Sequence, residues 1–334
     1  MRIAVFGAGA VGGYFGGRLA QAGEDVVLIA RGDHLRALQR RGLRVESIAG
    51  DFSVDPAEAT DDPEAVGVVD AVLVAVKAWQ VPEAARAMQP LIRPDTFVVP
   101  LENGVEAPFQ LAEALGKKHV VGGLCRIISS LVGPGHIRHA GISPTIAFGE
   151  LDGRRSERLA RLREAFQRTE GVTPTIPLDI CVAMWEKFLF IASLSGVGAV
   201  TRAPVGVLRS RPETREMLEQ AMEEILAVAQ ARGVALPPET VAQTMAFIDG
   251  LPPQGTASMQ RDIMAGRPSE LESQNGAVVR LGREAGVETP LHTFIYNSLL
   301  PQEMQVRGEM RVKREDRESG GGSPSSFGGD LGPA

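Results

Sequence analysis

Short runs of apolar, β-branched residues alternate with stretches of helical period over the first half of the chain. Residues 2–6, 26–30, 71–76 and 96–101 are apolar almost throughout, the pattern of strands buried on both faces of a parallel sheet. Residues 14–22, 34–41, 82–88 and 157–168 read as helices, and Asp61-Asp62-Pro63-Glu64 is a helix start. Residues 43–48 and 52–54 suggest a hairpin or edge strands, and 120–126, 127–132 and 145–148 continue the strand series. Such alternation predicts a parallel, doubly wound sheet. Near residue 178 the rhythm changes. Residues 179–200, 212–232, 238–249, 257–265, 269–284 and 291–300 carry helical patterns, with 173–177 as a hinge strand before them. The tail from Arg311 is charged and then rich in Gly, Ser and Pro, with little to bury, and is expected to be disordered.

The opening of the chain adds chemistry to this pattern. Gly7-Ala8-Gly9-Ala10-Val11-Gly12 follows the first strand directly and leads into the first helix. A strand, G-x-G-x-x-G and a helix form the dinucleotide-binding fingerprint. Gly7 permits the tight turn, Gly9 lets the backbone approach a pyrophosphate, and Gly12 lets the helix pack near the strand; the helix N-terminus favours phosphate. The predicted organisation is therefore an α/β Rossmann-type domain over residues 1–177, an all-α domain over 178–310 and a tail over 311–334. Arg31 ends the second strand, where an acid would hold a ribose 2′-hydroxyl. A guanidinium there suits a 2′-phosphate and favours NADP(H) over NAD(H), although Asp33 nearby is an acid that could serve the ribose.

Composition narrows the class. Of 334 residues, 44% are hydrophobic and 23% charged, an ordinary globular balance with room for two domains. A net charge of −6 argues against a general nucleic-acid binder. Two cysteines outside any C-x-x-C pair suggest no disulfide framework and fit a reducing cytoplasm. The five histidines form no metal-ligand spacing, so no metal is expected. The apolar N-terminus lacks the layout of a signal peptide, and no uninterrupted apolar run predicts a transmembrane span.

Four further pieces lie in order after the fingerprint: Lys77-Ala78-Trp79-Gln80, Glu102-Asn103-Gly104, Trp185-Glu186-Lys187, and Ser258-Met259-Gln260-Arg261-Asp262 with Glu270 beyond. In this order and across residues 1–305 the chain resembles the ketopantoate reductase family (2-dehydropantoate 2-reductase). The resemblance implies a 6-phosphogluconate dehydrogenase-like C-terminal domain and NADPH-dependent reduction of 2-dehydropantoate to D-pantoate in pantothenate biosynthesis. It assigns Lys187 as general acid on the keto oxygen. A lysine in an apolar helix has its pKa lowered by desolvation, which suits that role. Glu270 would orient the lysine and contact the substrate hydroxyl, and its charge would raise the lysine's pKa, leaving the balance open. Ser258 at a helix start is expected to receive the substrate carboxylate, Asn103 to touch substrate or nicotinamide ribose, and Lys77 to hold cofactor or substrate anion.

One departure bears on the substrate. The family carries two Asn one and two turns after the lysine, where this chain has Ile191 and Ser195. Positions four apart share a helix face, so both are expected to border the substrate. Ile191 would leave a substrate hydroxyl unpaired, at a cost on the order of 1–3 kcal/mol. Two other readings follow: a reductase of a more apolar 2-keto acid, and an NADP-sensing protein without turnover, which retention of Lys187 and Glu270 disfavours. The apolar helices leave a homodimer open.

Overall fold

The computed structural model describes residues 1–309, and the predicted tail over 311–334 lies outside the described residues. Along the chain the strands are β1 (Arg2–Phe6), β2 (Asp25–Ile29), β3 (Leu43–Ser47), β4 (Phe52–Val54), β5 (Ala59–Thr60), β6 (Ala71–Val74), β7 (Phe97–Pro100), β8 (Gly122–Gly133), β9 (His136–Gly149) and β10 (Thr173–Thr175). The first sheet has the order β5-β2-β1-β6-β7 and is parallel throughout. Its alternation sorts the side chains into two cores. Ile3, Val5, Leu73 and Val99 point to one, and Ala4, Val27, Val72 and Val98 to the other. Both faces are covered by helices: Ala10–Gln21 packs on the first through Phe15 and Leu19, and Val81–Ala87 on the second through Val81, Ala84 and Ala85. That double burial explains why the strand runs are continuously apolar. From β1 the chain passes to β2 on one side, while β6 lies on the other. A crevice opens at the carboxyl ends of the strands at such a switch point.

Beyond residue 120 the architecture departs from one continuous parallel sheet. β8 and β9 form a long antiparallel hairpin, and β9 also pairs in parallel with β3 and β10 in a second sheet. The runs at 120–126 and 127–132 belong to one strand. Only Pro134 and Gly135 separate it from its neighbour, and a connection that short permits antiparallel pairing alone. Gly135 takes a positive φ of 74° in this turn.

The second half is helical, as its pattern predicts, and the fold is an α/β Rossmann-type half followed by an all-α half. Asp179 caps the central helix, Ile180–Thr201, by accepting from the N–H groups of Cys181 and Val182 at 2.7 and 3.1 Å. This helix is long and apolar enough to cross a membrane by length and composition, yet 61% of its most apolar window is buried inside the protein. Pro212–Ala231, Ser258–Met264 and Pro290–Val306 surround it. A short helix, Val205–Ser210, falls outside the expected set. The helix expected over 269–284 begins as a wide turn, Glu272–Gly276, in which the Gly276 N–H reaches back to the Leu271 carbonyl at 2.9 Å. Such π turns often sit at functional sites.

His292 is fully buried in the helical core. Asn275 donates to its Nδ1 at 3.0 Å, so its Nε2–H donates to the Ala221 carbonyl at 3.0 Å. Burial lowers its pKa from 6.5 to about 4. A depressed folded-state pKa means the unfolded chain takes up the proton first, so stability is lost as pH falls from 6.5 toward 4. The loss reaches roughly 3 kcal/mol at most. Urea unfolding at about pH 7 and about pH 4.5 should show it. In His292→Gln the decline over that interval should shrink, and an unchanged decline would assign it elsewhere.

Candidate active site

The residues that follow β1, β6 and β7 face the helical half across a cleft of about 1030 Å³. Gly7, Ala8, Gly9, Ala10 and Val11 border one end of it. Gly7 has φ +94°, and a Cβ there would meet the Ala75 backbone at 2.9 Å. At Gly9 a Cβ would meet nothing within 4 Å, so the backbone there faces open space. Gly12 lies behind the loop and does not border the cleft. A Cβ there would stand 2.4 Å from the Gly7 carbonyl oxygen, so its contribution is packing.

His34 braces this loop, a role its sequence position does not announce. The Gly135 N–H donates to its Nδ1 at 2.9 Å, which leaves Nε2–H to donate to the Ala8 carbonyl at 2.8 Å. The β8–β9 turn and the glycine loop are thereby joined through one imidazole. Arg31 borders the same end, with its side chain exposed and 3.4 Å from Glu83. Loose, exposed pairing of that kind is weak, so the guanidinium is available to a competing anion.

At the other end Lys187 projects from the central helix, half-buried. Burial pushes its ammonium pKa below the ordinary lysine value; Cys125, Glu270 and Glu102 oppose this, and Arg126 adds to it. Desolvation therefore outweighs the attraction of Glu270, the question the sequence left open. Glu270 itself is buried and accepts from three donors: Asn103 Nδ2 at 3.2 Å, the Ala78 N–H at 3.4 Å and Gln274 Nε2 at 3.4 Å. Gln274 lies one helical turn after Glu270, and its backbone N–H also reaches the Glu270 carbonyl at 3.0 Å. Two of the predicted residues, Asn103 and Glu270, thus meet across the two halves of the chain.

Glu102 is a second buried carboxyl beside them. It follows β7, and its Oε1 accepts from the Val76 N–H at 3.1 Å, while Oε2 has no partner among the described residues. Burial, reinforced by Glu270, raises its pKa to about 8, so it carries a proton at neutral pH. Lys77 also borders the cleft, its ammonium 3.2 Å from Asp262. Gln80 caps the turn by accepting from the Lys77 N–H at 3.2 Å, and Trp79 packs under Arg307 at 4.5 Å.

Ile191 and half-buried Ser258 border the cleft as expected, but Ser195 does not. Ser195 is fully buried, with its hydroxyl unpartnered among the described residues. At about 3.6 residues per turn, two four-residue steps rotate it about 80° past Lys187, whereas Leu194 stays within about 20°. Leu194, together with Phe190 and Ile191, occupies the wall where Ser195 was expected. Phe190 packs edge-to-face on Phe247, 5.3 Å between ring centres, and both rings border the cleft. The cleft therefore combines a desolvated ammonium, an amide–carboxylate pair and an apolar wall, a set able to protonate a carbonyl oxygen as charge develops on it.

Comparisons with known proteins agree with this architecture. The family described as "Ketopantoate reductase PanE/ApbA" matches residues 3–153, and "Ketopantoate reductase PanE/ApbA C terminal" matches residues 179–303. A Bacillus subtilis protein named "Uncharacterized oxidoreductase YkpB" is 31% identical over 90% of this chain and 98% of its own. A 2-dehydropantoate 2-reductase of Nostoc sp. is 31% identical over 89% of this chain and 94% of its own. The crystal structure of a PanE/ApbA family ketopantoate reductase from Ralstonia eutropha superposes with a TM-score of 0.83. It has 32% identity and covers 92% of this chain and 100% of that one.

The two glycine environments predict opposite outcomes. Gly12→Ala should destabilise the fold by about 1–3 kcal/mol through overpacking. Gly9→Ala should leave thermal unfolding unchanged and weaken dinucleotide binding by fluorescence titration. Equal destabilisation in both would contradict the assignment of Gly9 to an open cradle.

Proposed function

The chain belongs to the ketopantoate reductase family, and from that we propose that it reduces 2-dehydropantoate to D-pantoate with NADPH. Membership makes it an oxidoreductase of a small keto acid with a nicotinamide cofactor. The observation that carries the finer reading is Lys187, held desolvated in the cleft opposite the Asn103–Glu270 pair.

A bound nicotinamide supplies the hydride. The Gly7–Val11 backbone and the Ala10–Gln21 helix end would hold its pyrophosphate, and Arg31 would exchange Glu83 for a 2′-phosphate. Lys187 holds a proton for the keto oxygen and stabilises the alkoxide as it forms. Asn103 keeps Glu270 directed into the cleft, where Glu270 can orient Lys187 and accept from a substrate hydroxyl. Ser258 and Lys77 border the substrate end. Ser195 has no part in this mechanism, because its hydroxyl does not reach the cleft.

Ile191, Leu194 and the Phe190–Phe247 pair favour a second reading with the same chemistry, a 2-keto acid bearing an apolar side chain. Oxidation of NADPH by purified protein, with 2-dehydropantoate and then with apolar 2-keto acids, separates the two. Preference for the apolar acids would replace the first reading, and tight NADPH binding without oxidation by any of them would overturn both.

Lys187→Ala should lower kcat by about 10²–10⁴-fold with NADPH affinity nearly intact. A general acid must hold its proton. The wild-type rate should therefore fall as pH rises through the Lys187 pKa, at a pH below the ordinary lysine value of 10.5. Arg31→Ala should weaken NADPH about 10-fold or more and leave NADH nearly unchanged. Ile191→Asn should raise kcat/KM on 2-dehydropantoate relative to an apolar 2-keto acid, and no change in that ratio would remove Ile191 from substrate selection.

A further inference from the structure

β8 loses its regular register with β9 between Arg126 and Ile128. In an unbroken strand, successive side chains point to opposite faces. Here Cys125, Arg126, Ile127, Ile128 and Ser129 all border the cleft. At the shift only Ile127 intervenes on β8 against residues 141–144 on β9, so the extra residues belong to β9. Arg126 keeps the regular pairing that begins at Gly122. Alternation sets this exposed arginine on the face of Gly122 and Leu124, which packs on the central helix, toward the space in front of Lys187.

The other cations bordering the cleft are placed elsewhere or already contact protein oxygens. Arg31 pairs with Glu83 at the opposite end, Lys77 with Asp262, and Arg261 donates to the carbonyl and hydroxyl oxygens of Thr256. Lys187 is the proton donor of the proposed reaction. Arg126 has no hydrogen-bond or ion-pair partner among the described residues, and its charge is close enough to act on Lys187. Glu102, Glu186 and Glu270 also border this part of the cleft. An anion entering among these carboxyl groups needs a cation other than the one that must give up its proton.

We propose that Arg126 receives the carboxylate of the 2-keto acid, with the adjacent keto oxygen directed to Lys187. This rests on the reductase reading above and adds to it the group that recognises the acid. The planar guanidinium can hold a carboxylate through two parallel hydrogen bonds, and so fix the plane of the neighbouring keto group as well as its charge. Ser258 would then contribute a neutral hydroxyl, and the site would select free acids over their esters whatever side chain Ile191 and Phe247 admit.

The test compares wild type, Arg126→Gln and Arg126→Lys with a 2-keto acid and its methyl ester. Calorimetry of the corresponding 2-hydroxy acid with NADP⁺-loaded protein runs in parallel. Arg126→Gln should raise KM for the acid on the order of 10²-fold, bring the acid-to-ester preference toward unity, and weaken 2-hydroxy acid binding to match. NADPH affinity should hold within about twofold. Arg126→Lys should fall between, since it keeps the charge and loses the fork. An unchanged acid-to-ester preference, or a loss of NADPH affinity with substrate KM unaltered, would overturn the proposal. Should wild type turn over no 2-keto acid, the reductase reading fails. The calorimetry still decides Arg126: weaker binding in Arg126→Gln supports it, and equal or absent binding in both proteins rejects it.

Discussion

A lysine ammonium set in an apolar helix loses hydration that the protein must replace, and the organisation of the cleft turns on how little of it is replaced. Burial is the largest influence on Lys187 and lowers its pKa. Two carboxyl groups lie near enough to reverse that. Glu270 is engaged by Asn103, Gln274 and the Ala78 N–H, and Glu102 is buried deeply enough to hold its own proton at neutral pH. Glu270 and Glu102 both act to raise the lysine's pKa, and burial outweighs them. The lysine is thus kept willing to release a proton by the same burial that builds the helical core around Phe188, Leu189 and Ala192.

Both halves of the chain are needed for this balance. Asn103 and Ala78 follow strands of the parallel sheet, and Glu270 stands just before the wide turn among the helices. The contact between them spans 167 residues of sequence and closes the cleft floor. Gln274 reaches Glu270 and Asn275 reaches His292 from this turn, so it serves the site and the core together.

At the far end the hairpin of the second sheet takes part twice. Its turn bonds His34, which steadies the glycine loop, and its first strand carries Arg126 at the cleft border. The second sheet is therefore more than a continuation of the first. It forms a side wall that links the nucleotide-binding loop to the part of the cleft where the substrate is proposed to bind.

Local pattern was enough for the parallel strands, because burial on both faces leaves continuous apolar runs, and for the glycine turn, because few residues other than Gly adopt its backbone. The helical half was legible for the same reason, through long amphipathic or apolar periods. Lys187, Asn103, Glu270 and Ile191 could be singled out because their motifs lie beside such elements. The hairpin was less legible, since Ile127 to Val132 read as a separate run and its pairing depends on a turn two residues long. Ser195 was misplaced because four-residue spacing only approximates the helical repeat, and the error grows with each turn. Arg126, His34 and Glu102 carry no local signal of their roles. A strand side chain facing the cleft, a brace across 101 residues and a buried carboxyl depend on which segments meet in space. Sequence by itself determined the elements and the cofactor loop, where the physics is local. Which cations are free, which carboxyl is neutral and which side chains face the cleft were decided only when tertiary packing set their neighbours and their access to water.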